Sequence, residues 1–249
     1  MIQYAIQNNA ATDKLFTLAT RTSYVQKDLA KIVELINGGN ELTFEKADHY
    51  KKNRFIIQAG VNRSTFKFTG TTDLVGLQFT KSYSPAFSVG FDHFIKPAVG
   101  KVILRTEISF HTDKFHGEYK KINTWQDYYD LKRNTIGVNL SILTNLYNGS
   151  SFKFFIGAGG GLNFSNYPEN NHYTIYGEPT PAATKFAPHF NASSITLAGR
   201  AGCVLRNRIE FSFMCNGVIG RLTENYTAYS DKYSSQQLRV GYLFSNRKK

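Results

Sequence analysis

The chain has 249 residues and a formal charge of +12, from 30 lysines and arginines against 18 aspartates and glutamates. Mean hydropathy is −0.34 and no apolar run approaches the roughly 20 residues of a spanning helix, which excludes a helical membrane protein. The basic residues are spread along the chain, with no recognition-helix or zinc-finger pattern, so anionic lipid headgroups match the charge better than nucleic acid does.

In chain order, the first expected element is a helix over 13–37. Leu15, Leu18, Val25, Leu29, Ile32, Val33 and Ile36 recur at helical spacing, Thr12 or Asp13 supplies the cap, and Gly38-Gly39 ends the run. Residues 40–53 form a polar linker. Eight strands follow, each with one apolar face, because successive side chains of a strand point to opposite sides. The first, 54–68, sets Phe55, Ile57, Ala59 and Val61 against Gln58, Gly60, Asn62 and Ser64, then shifts to Phe66 and Phe68, as a bulge or an aromatic rim would. The second, 83–95, sets Phe87, Val89, Phe91 and Ile95 against Ser84, Ser88, Gly90 and Asp92. The third, 99–112, sets Val102, Leu104, Ile108 and Phe110 against Lys101, Arg105, Glu107, Ser109 and His111. The fourth, 131–146, sets Ile136, Val138, Leu140 and Ile142 against Arg133, Thr135, Gly137 and Asn139. The fifth, 151–165, sets Phe152, Phe154, Ile156 and Leu162 against Lys153, Gly157, Gly159 and Gly161. The sixth (191–205), seventh (208–222) and eighth (234–244) carry Arg200, Glu210 and Arg239 opposite their apolar faces.

Connections alternate long (69–82, 113–130, 166–190, 223–233) and short (96–98, 147–150, 206–207). An even strand number, charges well inside strands and this alternation imply an all-β fold: an eight-stranded antiparallel up-and-down transmembrane β-barrel with an N-terminal helical extension, its apolar face toward lipid. The organisation expected is a helix and linker over 1–53 and the barrel over 54–249. A turn centred on Asn207 places Cys203 opposite Phe211 and Cys215 opposite Gly199, too far out of register to bond, so both thiols are expected free. The N-terminus shows no basic stretch followed by an apolar one, so no signal peptide is visible in this chain.

The segments Phe154-Phe155-Ile156-Gly157-Ala158-Gly159-Gly160-Gly161, Phe87-Ser88-Val89-Gly90-Phe91 and Leu238-Arg239-Val240-Gly241-Tyr242-Leu243-Phe244 resemble the outer membrane β-barrel domain family common in Bacteroidota, similar in architecture to small barrels of the OmpA and OmpX type. The resemblance implies residence in the cell outer membrane, a periplasmic N-terminal helix and short periplasmic turns. It also implies a monomer whose partners are outer-membrane lipids and lipopolysaccharide, the barrel-assembly machinery that reads the terminal aromatic strand, and an extracellular ligand at the long loops, chiefly 166–190. No nucleic acid, cofactor or metal is expected.

Eight charged residues share the inward face: Lys101, Arg105, Glu107, Arg133, Lys153, Arg200, Glu210 and Arg239. An eight-stranded barrel is only wide enough for side chains to fill it, and a lone buried ion is costly, so these form a polar plug; a narrow anion-selective pore is the alternative. Glycines 157, 159 and 161 leave inward room for long basic side chains; a nucleotide loop would run on into a helix. Ser109, His111, Asp113 and His116 are the candidates for a rim-catalysed lipid-modifying enzyme; Asp92-His93 splits across two faces. Tyr83, Tyr119, Trp125, Tyr128, Tyr129, Tyr147, Tyr167, Tyr173, Tyr226, Tyr229, Tyr233 and Tyr242 suit interfacial aromatic girdles. The function expected is non-enzymatic: structural, adhesive or accessory. A soluble lipocalin-like carrier is the remaining alternative, and it requires the apolar face inside.

Overall fold

The computed structural model describes residues 52–71, 73–95, 100–121, 125–176, 183–224 and 229–244. The helix expected over 13–37, its linker up to residue 51, the turn at 96–98, Tyr226 and the tail after Phe244 lie outside the described residues.

Among the described residues ten strands follow one another: β1 (Asn53–Gly70), β2 (Gln78–Phe79), β3 (Ser82–Phe94), β4 (Val102–Lys121), β5 (Trp125–Asn148), β6 (Phe152–Tyr176), β7 (Ala183–Lys185), β8 (Ser193–Leu205), β9 (Ile209–Ile219) and β10 (Tyr229–Phe244), with a 3-10 turn at Asp73–Gly76. Eight of them close a ring in the order β1-β3-β4-β5-β6-β8-β9-β10, since β4 pairs with β5 and β10 returns to β1. All pairings are antiparallel. Closure removes every sheet edge from the ring, which lipid requires because it offers backbone groups no hydrogen bonds.

Each strand keeps its period. On β1, Phe55, Ile57 and Val61 are exposed while Arg54, Ile56, Gln58, Asn62 and Ser64 are buried. On β10, Leu238, Val240, Tyr242 and Phe244 are exposed while Gln237, Arg239 and Leu243 are buried. The same inversion holds around the cylinder, with Phe87, Phe91, Ile108, Leu140, Leu162, Leu197 and Phe213 outward. A soluble monomer rarely exposes an apolar patch beyond a few hundred Å²; here a whole belt is exposed and the charge is inside. That geometry removes the lipocalin-like reading.

Two corrections concern the strands. Of the bulge or aromatic rim expected at Phe66 and Phe68, the bulge is absent: the β1–β10 register runs unbroken from Phe55↔Phe244 to Gly70↔Tyr229, and both rings point inward into an aromatic cluster at the loop end. Residues 113–130 are not a loop either, because the β4–β5 ladder continues to Lys121↔Trp125 and the β5–β6 ladder to Trp125↔Tyr176. These three strands therefore rise past the apolar belt as a blade. Short strands cover its two edges, β2 against Glu118 and Gly117 of β4, and β7 against His172, Tyr173 and Thr174 of β6.

The turns at the other end are tight. Gly149 N donates to Phe152 O at 3.0 Å, and Arg208 N to Leu205 O at 3.0 Å. The second turn holds Arg206 and Asn207 at φ of 49° and 57°, the doubly left-handed hairpin whose twist matches the flanking strands. Its register sets Cys203 opposite Phe211 and Cys215 opposite Gly199, and both cysteines are free.

Candidate functional site

The lumen is layered. At the turn end, Ile56, Phe94, Ile103, Leu143, Phe155, Val204 and Leu243 pack into an apolar floor. At the opposite end, Phe66, Phe68, Leu74, Leu77, Phe115, Tyr129, Leu131, Leu222, Tyr229 and Tyr233 form an aromatic-rich lid, with Phe79, Tyr119, Tyr167 and Phe190 against it. Leu74 and Leu77 reach the lid because the segment between β1 and β3 folds inward.

Charge fills the space between. Arg105 of β4 forks onto Glu210 of β9, Nη1 to Oε1 at 2.6 Å and Nη2 to Oε2 at 2.7 Å, while its Nε donates to Asp92 Oδ1 at 2.6 Å. Strands β4 and β9 are diametrically opposite in the ring, so this guanidinium bridges the full bore. Asp92 also takes Arg54 Nη2 at 2.6 Å. Glu107 accepts both arms of Arg200, at 2.9 and 3.1 Å, together with Nη1 of Arg239. One level up, Asp113 accepts from Asn62 at 2.9 Å, Arg133 Nε at 3.1 Å and the Tyr233 hydroxyl at 3.0 Å, and the Arg133 guanidinium lies 3.9 Å from the Tyr233 ring centre. Bidentate, charge-assisted pairs of this kind are the strong ones, and burial makes their completeness matter.

Of the eight expected lumen residues, Arg105, Glu107, Arg133, Lys153, Arg200, Glu210 and Arg239 are buried. Lys101 is not: it precedes β4 and is exposed at the turn end, so its inward parity leads nowhere. Sequence reasoning left six cations against two carboxylates. Among the described residues the buried set is Arg54, Arg105, Arg133, Lys153, Arg200 and Arg239 against Asp92, Glu107, Asp113, Asp127, Glu210 and Asp231, six of each sign. Asp92 is readable from its even position in the second strand; Asp113 is missed as a lumen residue because the third expected strand stops at residue 112, one short of it. The glycines serve a nearer need than the cations. Gly157, Gly159 and Gly161 lie against Leu143, Ser141 and Asn139 of β5, where a side chain would meet backbone carbonyls.

The four catalytic candidates do not form one cluster, although His111 and Asp113 meet. Ser109 Oγ accepts from Asn139 Nδ2 at 3.1 Å. His111 Nε2 lies 3.5 Å from the Tyr233 hydroxyl and 3.7 Å from Asp113 Oδ2, below the aromatic lid. His116 is on the other face of the blade, held by Asp130 Oδ1 at 2.6 Å with Glu118 Oε1 at 3.5 Å. His93 contacts Asn53 at 2.8 Å while Asp92 is inside.

The blade's outer face is the exposed polar cluster of the loop end. Tyr128 and Tyr173, cross-strand partners, stack with ring centres 5.4 Å apart and planes at 20°. Partial burial and the Asp130 carboxylate push the Tyr173 phenol above its ordinary value, so its hydroxyl remains a donor, 3.3 Å from Asp130 Oδ2. Lys132 meets Glu169 at 3.3 Å. The tyrosines thus divide three ways. Tyr83, Tyr147 and Tyr242 face outward at the ends of the belt, Tyr129, Tyr229 and Tyr233 are buried in the lid, and Tyr128 and Tyr173 lie on the blade.

A closed eight-stranded cylinder with a hydrocarbon exterior and an ion-paired interior is a membrane-spanning β-barrel. The chain belongs to the outer membrane protein beta-barrel domain family, whose pattern matches residues 47–217, and it is a protein of the cell outer membrane. Strand β10 lies beyond the matched stretch, yet it closes the ring. No curated protein matches the chain. Solved structures similar to it include OprG from Pseudomonas aeruginosa (12% identity, covering 80% of this chain and 99% of that one, TM-score 0.45). Neisserial surface protein A shares 16% identity over 77% of this chain and 96% of its own, at a TM-score of 0.41. Ail of Yersinia pestis shares 11% identity over 78% and 100%, at a TM-score of 0.38.

Proposed function

We propose that the protein is a non-catalytic outer-membrane barrel of the small, closed OmpA and OmpX type, acting as a monomer, with the β4–β6 blade as an adhesive or accessory recognition surface outside the cell. The observation that carries this reading is the continued ladder from Phe110, the last outward apolar residue of β4, to Lys121. At about 3.4 Å per residue that is roughly 35 Å of ordered strand past the belt. A barrel whose task ended at its wall has no need of such a platform, and binding residues concentrate on what a rigid scaffold projects.

The lumen supports the non-catalytic part. Its ion pairs span the bore and its ends are closed by apolar side chains, so it serves as a strut rather than a conduit. Ser109 and His111 lie beneath the lid with other partners. The blade face offers instead stacked tyrosines beside Glu118, Asp130 and His116, which suits a ligand with polar hydroxyl or amine groups. Lipids and lipopolysaccharide surround the belt, and the assembly machinery receives the terminal strand.

The test is a printed array of glycans and purified extracellular-matrix proteins, probed with the labelled barrel in nanodiscs. Binding to a defined subset is expected, lost at least tenfold when Tyr128→Ala, Asp130→Ala and Tyr173→Ala are combined while heat-modifiable migration is retained. Binding that survives this triple change, or no binding by the native barrel, refutes the blade as the recognition element.

A further inference from the structure

The outer wall carries a feature that neither the lumen nor the blade uses. On the β1–β10 seam the outward face changes character at one level: Val61 and Leu238 are the last apolar pair, and Arg63 and Gln236 are the next outward pair toward the loop end. Thr65 and Ser234 follow, their hydroxyls 2.9 Å apart, and then Lys67 directly opposite Lys232. Arg63 gives Nη1 to Gln236 Oε1 at 2.7 Å, and on its other side it faces Tyr83 of β3, 67% exposed. The cross-strand partners of these three cations are each other, an amide and a phenol, never a carboxylate.

Like charges directly opposite in a sheet destabilise it. Elsewhere on the wall the same problem is answered internally: Lys114 also faces a lysine, Lys132, but Lys132 is matched by Glu169. On the β1–β10 seam no carboxylate among the described residues is paired with Arg63, Lys67 or Lys232. The seam's position supplies one, because it begins where the hydrocarbon belt ends, at the depth of the outer-leaflet headgroups.

We propose that Arg63, Lys67 and Lys232, with the Thr65 and Ser234 hydroxyls between them, form a binding site for a phosphorylated lipid headgroup of the outer leaflet. Phosphate oxygens accept from the two ammonium groups, the guanidinium and the hydroxyls, while the acyl chains lie on the apolar wall below, along Val61, Leu238 and Val240. The guanidinium is held at this level by Gln236, which accepts from its Nη1. Tyr83 contributes an amphipathic ring at the same level. This inference is independent of the blade, because the two features lie on different strands and are tested with different ligands.

The experiment is native mass spectrometry of the refolded barrel in detergent, titrated with diphosphoryl lipid A, phosphatidylcholine or inorganic phosphate. Each Lys or Arg at an anionic surface contributes about fivefold. Diphosphoryl lipid A is therefore expected to bind at least tenfold more tightly than phosphatidylcholine. Lys67→Gln, Lys232→Gln and Arg63→Gln together should erase that preference, whereas Lys114→Gln with Lys132→Gln on the β4–β5 ladder should keep it. Inorganic phosphate is expected not to displace the lipid. Folding is not the confounding variable, since removing Lys67 or Lys232 relieves repulsion, and heat-modifiable migration checks it. No preference in the native barrel, equal loss in both variants, or displacement by phosphate alone overturns the assignment.

Discussion

Glu107 is the residue on which the lumen most depends. It holds two guanidiniums, Arg200 at 2.9 Å and Arg239, both buried. Glu107→Gln leaves both cations without their counterion, and stripping one partner from a buried pair costs about 3–5 kcal/mol. The expected outcome is an unfolding free energy of the refolded barrel, from urea titration, lowered by that amount, while Lys101→Gln, at an exposed position, stays within about 0.5 kcal/mol. Equal small effects for the two would mean that the ion pairs contribute nothing net. The contrast between these residues also shows what parity can deliver. Arg105, Glu107 and Arg133 were placed inward by counting in twos, and so was Lys101, wrongly, because parity is silent about where a strand begins. Asp113 failed for the converse reason. The strand was ended where the outward face stopped being apolar, although its inward face continued through Asp113 to Phe115.

At the scale of elements, the belt-spanning parts of the strands and the tight turns were legible, and the blade was not. Alternation identifies a strand only while its two faces meet different solvents. Past the belt, β4 and β5 have water outside and an aromatic lid inside, so Lys114, His116 and Glu118 alternate with Phe115, Gly117 and Tyr119. Gly117 and the neighbouring polar residues then look like loop. Phe66 and Phe68 misled in the same way, since aromatic side chains on the lumen face contradict a rule that assigns grease to lipid. The β8–β9 hairpin was easier, because a two-residue turn leaves one possible register. That turn carries a cost: Arg206 adopts a φ of 49°, and left-handed backbone disfavours a non-glycine residue by roughly 1–2 kcal/mol. Asparagine tolerates this region better. Arg206→Asn is expected to raise the unfolding free energy by about 0.5–1 kcal/mol, measured by urea titration in the same micelles, with unchanged heat-modifiable migration. A lower midpoint would mean that the Arg206 side chain has a stabilising role of its own.

At the scale of the whole molecule, the governing fact is the inversion of inside and outside. In water, burial of Phe, Ile and Val drives folding; here those side chains gain nothing from one another across the wall, and hydrocarbon takes the place of the core. What the ring must do internally is satisfy itself, and the pairing of Arg54 and Arg105 with Asp92, Arg105 with Glu210, Arg200 and Arg239 with Glu107, and Arg133 with Asp113 is the form that takes. The free thiols test the inversion directly. Cys215 is exposed and Cys203 half-buried on the outward wall, between Phe211, Phe213 and Ile219 of β9 and Leu197 and Leu205 of β8. In a bilayer these positions meet acyl chains, so a charged, membrane-impermeant maleimide is expected to leave both unmodified while an apolar maleimide labels Cys215 first. After transfer to urea without lipid, both reagents should label both residues. Rapid labelling by the charged reagent in intact vesicles would put water where hydrocarbon belongs, and no arrangement of the buried arginines would then account for a belt of phenylalanine and isoleucine facing that same water.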